Sequence, residues 1–499
     1  MSIINRTLFP VQAGANQIAK LQERFGKLQV QLATGQKASN LAELGSDRYY
    51  DLSVRNRLGR IEGYQNNIDT LNLRLDIFDK VLARLDTIES DARVGMAPGG
   101  YGTGNINFGT APSLAKSRLD EVLNLLNTDV DGRYIFGGKV SDSKPVQAID
   151  ALLEGVAGKA GFKQIVAERT AADLGDGLGR LDLTIATDKV TLAEDNAHPF
   201  GFKLSTLTTT SGAVALTQPG GVPPQSLSVQ FTGLPIAGEA VTVGLALPDG
   251  SEEGITLKAV TGTPGVGEFQ IGADADLTAA NFKAALEAAL TDMGGTKLAA
   301  ASAYAAADNF FNAQGDPVLR VDGPPFDSAT TLITADPATT VLWYTGGDAA
   351  NARQAASSKI DENTSVAYGV QANESGPLQL VRSLAALAVQ SFPPADATSK
   401  GRFDAIASRN IARLAESHNS EAGSIEMIAV ELGNTKAAAT SIGERHKSYG
   451  AQLKQLLSDI ETVPKEDVAM ELLALQTRLQ ASYQATALVA QLSMVNYLN

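Results

Sequence analysis

The sequence predicts an α+β protein, in which helices from both termini form a long antiparallel coiled-coil rod and a β-rich central insert forms an outer lobe. Two observations lead to this fold class. Near both ends of the chain, apolar residues recur at steps of three and four, the spacing of helices that lie along other helices. Between about residues 141 and 340, short alternating runs separated by glycine and proline replace that spacing, as in small antiparallel sheets.

The most regular seam lies in the C-terminal part of the chain. Its apolar or small residues follow steps of three and four without interruption over residues 425–463, which predicts one continuous helix. Pro464 interrupts the seam, and Glu466 and Asp467 follow it. Because anions are favoured in the first turn of a helix, we predict a further helix there. That helix carries apolar residues almost to the end of the sequence.

The N-terminal part carries two further seams. The stripe over residues 11–32 is closed by Thr34 and Gly35 and predicts a first helix that ends there. The second seam, over residues 54–85, has a mean spacing of about 3.5 residues and predicts a second long helix. A third helix is predicted at about residues 113–127, after a loop rich in glycine, asparagine and threonine.

The central part has a different pattern. Residues 181–186 and 227–231 alternate apolar and polar side chains, which predicts half-buried strands. One helix is predicted within this part, at residues 278–292. Helical spacing returns after residue 345 and continues into the C-terminal seam.

We therefore expect the first and last helices to have no partner within one chain except each other. An isolated helix pair is marginally stable, so both should order fully only when many copies associate. The intervening lobe could vary in size without disturbing the rod. The predicted segments are an N-terminal helix and connection at 1–48, N-terminal rod helices at 49–140, the β-rich insert at 141–340, C-terminal rod helices at 341–463 and a terminal helix at 464–499.

Composition narrows the classes of function. The 499 residues, 44% of them hydrophobic, suffice for more than one packed unit. The formal net charge of −14 disfavours nucleic acid and anionic membranes as partners. The chain has no cysteine, which excludes disulfides, cysteine-ligated zinc and thiol catalysis. We expect no membrane helix, and the first ten residues show no Sec signal sequence.

Catalytic and cofactor motifs are not evident in the sequence. The three histidines, His198, His418 and His446, have no histidine or cysteine at metal-ligand spacing. His446 lies on the C-terminal seam, where we expect an interface residue rather than a ligand. Neither a Gly-x-Ser-x-Gly elbow nor a Gly-x-x-x-x-Gly-Lys-Ser/Thr loop occurs. We therefore expect no enzyme, no cofactor and no metal.

Five short blocks occur in order along the two ends of the chain. They are LQVQLATGQK at 28–37, GYQNNI at 63–68, GRYIFGG at 132–138, LQASYQAT at 479–486 and LSMVNYL at 492–498. Together they resemble the terminal regions of bacterial flagellins and of the hook-associated protein of the hook-filament junction. The likeness covers about residues 1–145 and 340–499.

Within this family, the sequence is compatible with either a hook-filament junction protein or a filament flagellin. The GRYIFGG block, WYTGGD at 343–348, YGVQANE at 368–374 and the NYL ending look like the junction proteins of alphaproteobacteria. The length of the chain instead suits a filament flagellin, where large outer inserts are commonest. Residues 44–48 read LGSDR, whereas an Asp-Asp-Ala or Asp-Asp-Pro element is frequent in this region of the family.

The resemblance implies a structural subunit of the flagellum that acts outside the cell. It would be exported unfolded, with a flagellar export chaperone, through the type III export apparatus, which agrees with the lack of a Sec signal. Its partners would be copies of itself and neighbouring axial subunits, with no nucleic acid and no membrane. Polymerisation would order the terminal helices. The expected assembly-interface residues are Ile18, Leu21, Phe25, Leu28, Leu472, Leu475, Leu479, Tyr483 and Leu492.

Two alternatives accompany this interpretation. The stripe could be an ordinary coiled coil within one chain, in which case its residues would contact no other copy. The chain could also be a surface glycan-binding module on a helical stalk. Trp343 and Tyr344 would then supply a stacking platform, although a single tryptophan could equally anchor the lobe to the rod.

Overall fold

The computed structural model describes residues 9–95, 98–99 and 108–495. The fold mixes helix and sheet, with 52% of residues helical and 16% in strands, which confirms the predicted α+β class. The chain divides into two compact units, which are described separately. Unit 1 comprises residues 1–71, 359–365 and 437–499, and unit 2 comprises residues 72–358 and 366–436.

Unit 1 is largely helical. Helix α1 spans Phe9–Thr34 and helix α11 spans Lys465–Val495. The unit also holds the first part of α2, Arg48–Val94, and the last part of α10, Ile425–Glu461. A short 3₁₀ turn, Gly45–Asp47, precedes α2. The three predicted seams and the helix predicted after Pro464 therefore each correspond to a helix.

The helix ends of unit 1 follow local chemistry. Helix α1 stops before Gly35, whose φ of 73° lies in the left-handed region that glycine adopts without strain. Pro464 stands immediately before α11, where its missing N–H costs nothing. Glu466 and Asp467 occupy the first turn of α11, as predicted. Helix α10 ends at Glu461, two residues before the predicted limit of its seam.

His446 is a packing residue of α10. Its side chain is buried and its ring stacks on that of Tyr64 at a centroid distance of 5.6 Å. One ring nitrogen, Nε2, lies 2.9 Å from the carbonyl oxygen of Ile360. The imidazole therefore has a polar partner and an aromatic one, which accounts for its place on an otherwise apolar seam.

Unit 2 contains the second part of α2, the start of α10 and a set of shorter helices. A π-helical turn, Gly294–Leu298, joins α6 to α7, and 3₁₀ turns occur at Ala352–Ala355 and Glu416–Ser420. The shorter helices are α3 Ala111–Leu126, α4 Ile149–Glu154, α5 Phe162–Leu174, α6 Ala275–Met293, α7 Ala299–Phe310, α8 Ser375–Ala388 and α9 Ser399–Arg413.

Two four-stranded sheets lie in unit 2. The first has the order β3-β4-β7-β6 with antiparallel neighbours, and its strands are β3 Leu181–Ala186, β4 Lys189–Glu194, β6 Val214–Thr217 and β7 Ser226–Phe231. The second has the order β10-β9-β8-β5, and its strands are β5 Lys203–Thr209, β8 Ala240–Ala246, β9 Glu252–Val260 and β10 Glu268–Gln270. Strand β10 runs parallel to β9.

The remaining strands form two-stranded ribbons. They are β1 Asp129–Val130 with β2 Arg133–Tyr134, β11 Leu319–Val321 with β12 Leu332–Thr334, and β13 Ser357–Lys359 with β14 Ser365–Ala367.

Both four-stranded sheets and α6 share one buried cluster. Phe231 of the first sheet, Phe269 of the second and Phe282 of α6 meet edge to face, with ring centroids 5.3 to 5.9 Å apart. This geometry brings the positive edge of one ring to the negative face of the next. Because all three rings are buried, the helix and the two sheets form a single core.

The central part is less purely β than predicted. The helix predicted at residues 278–292 is confirmed as α6, and the two predicted strands are confirmed as β3 and β7. The prediction of a single helix was wrong, because α4, α5 and α7 also lie between residues 141 and 340. Helix α7 is alanine-rich and buried on almost every side, so it lacks the polar face that reveals helical periodicity. The expectation of antiparallel pairing was wrong for β10.

Three of the quoted sequence blocks meet in unit 2 through their main chains. Gly347 donates its N–H to the carbonyl of Gly137 at 2.8 Å, which joins WYTGGD to GRYIFGG. Ala372 donates to the carbonyl of Phe136 at 3.0 Å, which joins YGVQANE to GRYIFGG. A Cβ on Gly137 would lie 2.1 Å from the carbonyl oxygen of Val140, so only glycine fits there.

Trp343 belongs to the core of unit 2. Its side chain is fully buried, and its indole N–H donates to Oδ1 of Asn312 at 2.9 Å. The ring meets Phe311 edge to face at 5.7 Å. Trp343 therefore cannot serve as the exposed stacking platform of the glycan-binding alternative.

Arg409 of α9 and Asp249, in the turn after β8, form a buried ion pair in unit 2. Nε of Arg409 donates to Oδ2 of Asp249 at 2.6 Å, and Nη2 donates to Oγ of Ser251 at 2.8 Å. The two side chains are only 8% and 3% exposed. Burial alone would raise the pKa of Asp249, but Arg409 and Ser251 outweigh it and hold that pKa below its ordinary value.

We predict that Asp249→Ala lowers the free energy of unfolding of unit 2 by about 3–5 kcal/mol, because Arg409 would stay buried without a counter-charge. Urea unfolding of the full chain, followed by the fluorescence of Trp343, measures the loss. Asp396→Ala removes a more exposed partner of Arg402, 3.0 Å away, together with hydrogen bonds from Thr398, and should cost clearly less than Asp249→Ala. Equal losses would contradict the prediction.

The same pair predicts a dependence on pH. Because the folded pKa of Asp249 is depressed, its stabilisation is present above its unfolded pKa of about 3.9 and disappears as the pH falls further. The difference in the free energy of unfolding between wild type and Asp249→Asn should therefore become smaller below about pH 4.

Candidate assembly interface

Helices α1 and α11 pack against each other in antiparallel directions. The N–H of Val463, just before α11, donates to the carbonyl of Gly35 at 3.0 Å, while Gly14 lies beside Thr486 near the other end of the pair. Their shared buried cluster consists of Leu28, Val468, Leu475 and Leu479. On α11 the contact follows residues 468, 472, 475 and 479, in the three-four spacing of a helix-helix seam.

The two connections that lead into this pair are bonded to each other. Gln36 and Thr462 form an isolated antiparallel bridge. On one side of it, Lys37 donates its N–H to the carbonyl of Glu461 at 2.6 Å. The last carbonyls of a helix have no partner within the helix, so this bond supplies one for the end of α10. The bridge thereby fixes the register of α1 against α11.

Arg55 ties the start of α2 to the end of α10. It donates from Nε to Asp51 at 3.1 Å and also bonds Glu461. Burial and the neighbouring Asp51 raise the pKa of Glu461, although Arg55 opposes the rise. The carboxylates of α2 and α10 therefore converge on one cation beside the bridge.

Polar contacts between α1 and α11 lie on the rim of the seam. Arg24 pairs with Glu471, and Nε2 of Gln22 donates to the hydroxyl of Tyr483 at 2.6 Å. Both contacts are exposed, and an exposed ion pair typically contributes under about 1 kcal/mol. Within α1, a hydrogen bond from Lys27 lowers the pKa of the fully exposed Glu23. These contacts align the helices, whereas the leucines supply the stabilisation.

The residues predicted from the sequence to mediate assembly fall into distinct environments. Tyr483 is 46% exposed, and the side chain of Leu492 lies outside the described residues. The remaining members form the contact between α1 and α11 within one chain. The buried members are Leu28, Leu475 and Leu479, and the half-buried members are Ile18, Leu21, Phe25 and Leu472.

Helix α11 has a second apolar face that α1 does not cover. Met470, Leu473 and Leu488 are 63%, 62% and 60% exposed. At 3.6 residues per turn, these three positions lie on the side opposite Leu475 and Leu479. We call these three residues the outer face of α11. An apolar stripe in water is typical of a surface that another protein covers.

The C-terminal half of α11 also lacks charge. No acidic, basic or histidine residue occurs from Leu479 to the end of the sequence. Buried hydroxyl and amide groups cost little once they are hydrogen-bonded, whereas a buried charge is expensive without a partner. This part of the helix can therefore be surrounded by protein on every side. The sequence interpretation included Leu488 in one stripe with Leu475 and Leu479, so it did not separate the outer face.

Among the described residues, no group of three or more His, Cys, Asp or Glu side chains is placed so that it could hold a metal ion. In the same residues, no helix combines the length and the apolar character that a membrane crossing requires. A groove of about 830 Å³ in unit 1 is lined by Arg60 and Arg445, but these arginines already pair with Glu362 and Asp361.

No family model and no curated protein matches this chain. The function is therefore inferred from the terminal helices and from the sequence blocks that resemble flagellar proteins.

We predict that substitution by aspartate has a large effect on the helix pair at Leu475 and a small effect at Leu473. Leu475→Asp places a carboxylate against α1 without a partner and should open the helix pair in the monomer, whereas Leu473→Asp points to solvent and should change stability by less than about 0.5 kcal/mol. Hydrogen exchange with labelling times of milliseconds to seconds, which detects protection in helices of low stability, measures the protection of α1 and α11. Loss of protection in both variants would contradict the assignment of the two faces.

Proposed function

We propose that this chain is a structural subunit of the bacterial flagellum and serves as its hook-filament junction protein, joining its neighbours through the terminal helices. The observation that carries the proposal is the double apolar character of α11. One face packs on α1, and the outer face of Met470, Leu473 and Leu488 remains in water. A helix of this kind gains most when further helices surround it.

A long antiparallel coiled-coil rod is part of the proposal. Helices α2 and α10 contain 47 and 37 residues, which correspond to roughly 70 and 55 Å at a rise of 1.5 Å per residue. Such lengths with apolar residues every 3.5 positions are typical of coiled coils. We infer that the two termini build this rod, while the sheets of unit 2 belong to the part that faces solvent.

Export through the flagellar type III apparatus is a further element of the proposal. The chain has no cysteine, so no disulfide has to form or break during passage through a narrow channel. A helix pair of low stability in the single chain is compatible with export in an unfolded, chaperone-bound state through the type III apparatus. The protein would act outside the cell, with copies of itself and neighbouring axial subunits as partners.

A filament flagellin with a large outer domain is the alternative within the same class. The resemblance of GRYIFGG, WYTGGD and YGVQANE to junction proteins favours the junction, and the hydrogen bonds that join these blocks make them one local feature of unit 2. The glycan-binding alternative loses support because Trp343 is buried and hydrogen-bonded.

We predict that Leu473→Asp abolishes incorporation into flagella although the monomer stays folded. The carboxylate would have to be buried between subunits without a counter-charge, a cost that is repeated at every subunit. Complementation of a strain that lacks the native copy, with immunoblots of sheared flagella, measures incorporation.

Leu234→Asp is the matched control, because Leu234 is 47% exposed in unit 2 and outside the terminal helices. It should incorporate normally. Normal incorporation of Leu473→Asp as well would remove the outer face of α11 from the interface.

A further inference from the structure

Strand β9 has an edge that is only partly covered. On one side, its residues 252–258 pair with β8. On the other side, β10 covers residues 258–260 alone. The N–H of Lys258 donates towards β10, to the carbonyl of Gly267 at 2.9 Å, whereas the N–H of Ala259 donates to Glu239, which precedes β8.

This alternation assigns the direction of each peptide group. Because successive residues of a strand direct their N–H and C=O groups to opposite sides, Gly254 and Thr256 face the uncovered side, like Lys258. Within the described residues, neither makes a main-chain hydrogen bond there, although the carbonyl of Thr256 lies beside Gly267. Unpaired groups on a strand edge are a template for one more strand.

A groove of about 700 Å³ lies beside the open edge. Ala285, Ala288 and Ala289 of α6 line it, and because their side chains are short, the helix leaves the space next to β9 unfilled. Val266, at the end of the groove near β10, is fully exposed. The volume lies in the range of about 300–1,000 Å³ that is typical of binding sites.

The carboxylates around the groove favour a positively charged binding partner. Asp292 and Glu268 line it, and Glu252 stands at the start of the open edge. Lys297 is neutralised by Glu253 at 2.5 Å, whereas Asp292 and Glu252 form no ion pair with any described residue. An acidic groove repels a second copy of a chain whose net charge is −14 and attracts a basic segment.

We propose that this groove binds an extended basic peptide segment of another protein as an additional strand beside β9. The peptide main chain exchanges hydrogen bonds with Gly254 and accepts one from the N–H of Thr256, and alternate small apolar side chains enter the space beside the alanines of α6. Its lysine or arginine residues pair with Asp292 and Glu252. This is recognition by strand addition, in which the main chain gives affinity and alternate side chains give specificity. It is independent of the flagellar proposal, because it uses only residues of unit 2.

Fluorescence anisotropy with the full chain tests the proposal. The probe is a labelled short peptide of alternating valine and alanine with a lysine at each end. We expect saturable binding, at least about tenfold weaker binding when glutamate replaces lysine, and loss of binding when the alternate amides are N-methylated. Absence of saturable binding, or equal binding of the glutamate peptide, would overturn the proposal.

Two variants locate the site. Ala289→Phe fills the groove and should abolish binding. Gly254→Pro removes an N–H that faces away from β8, so the fold keeps its bonds while the peptide loses one and binds about fivefold more weakly. Ala215→Phe, on an exposed position of β6 in the other sheet, is the matched control and should bind as wild type. Wild-type binding by both site variants, with circular dichroism unchanged, would also overturn the proposal.

Discussion

The helix α11 has apolar residues on two opposite faces, and α1 can cover only one of them. Burial of one such side chain contributes about 1.5–3 kcal/mol of stabilisation. Because Met470, Leu473 and Leu488 are exposed, a single chain does not gain this free energy. A folded domain normally turns such a face inwards. Here the bridge between Gln36 and Thr462 fixes the register of the pair, so the leucines around Leu475 face α1 and the outer face stays open. The proposed assembly follows from this constraint.

If the proposed assembly is correct, stability and assembly depend on different parts of the chain. In unit 2, aromatic rings from both sheets and α6 meet in one core, and buried ion pairs such as Arg409 with Asp249 hold surface turns to helices. The helix pair of unit 1 has a smaller buried cluster, and the polar contacts on its rim are exposed. We expect unit 2 to be folded under conditions in which the pair still opens, which suits a subunit that completes its fold at its destination.

The long helices could be predicted because their apolar residues repeat in sequence. The end of α1 followed from Gly35, and α6 followed from a clear helical period, although it begins at Ala275 rather than at residue 278. Helix α7 could not, because alanine on every side leaves no period to detect. Strand β10 is three residues long and pairs in parallel with a strand several residues earlier, a contact that no local pattern indicates. Leu475 and Leu479 were predicted from the seam as assembly residues, and they lie in the contact between α1 and α11 within one chain. The outer face was not recognised because Leu488 had been assigned to the same stripe, and the open edge of β9 depends on pairing between distant residues.

The most direct measurement is hydrogen exchange of α11 in the monomer and after seeded assembly on isolated hooks or filament ends. If the outer face is covered by neighbouring subunits, α1 and α11 should change from weak to strong protection on assembly, while the strands of unit 2 exchange equally in both states. Equally fast exchange of α11 before and after assembly would show that the terminal helices do not form the contact between subunits.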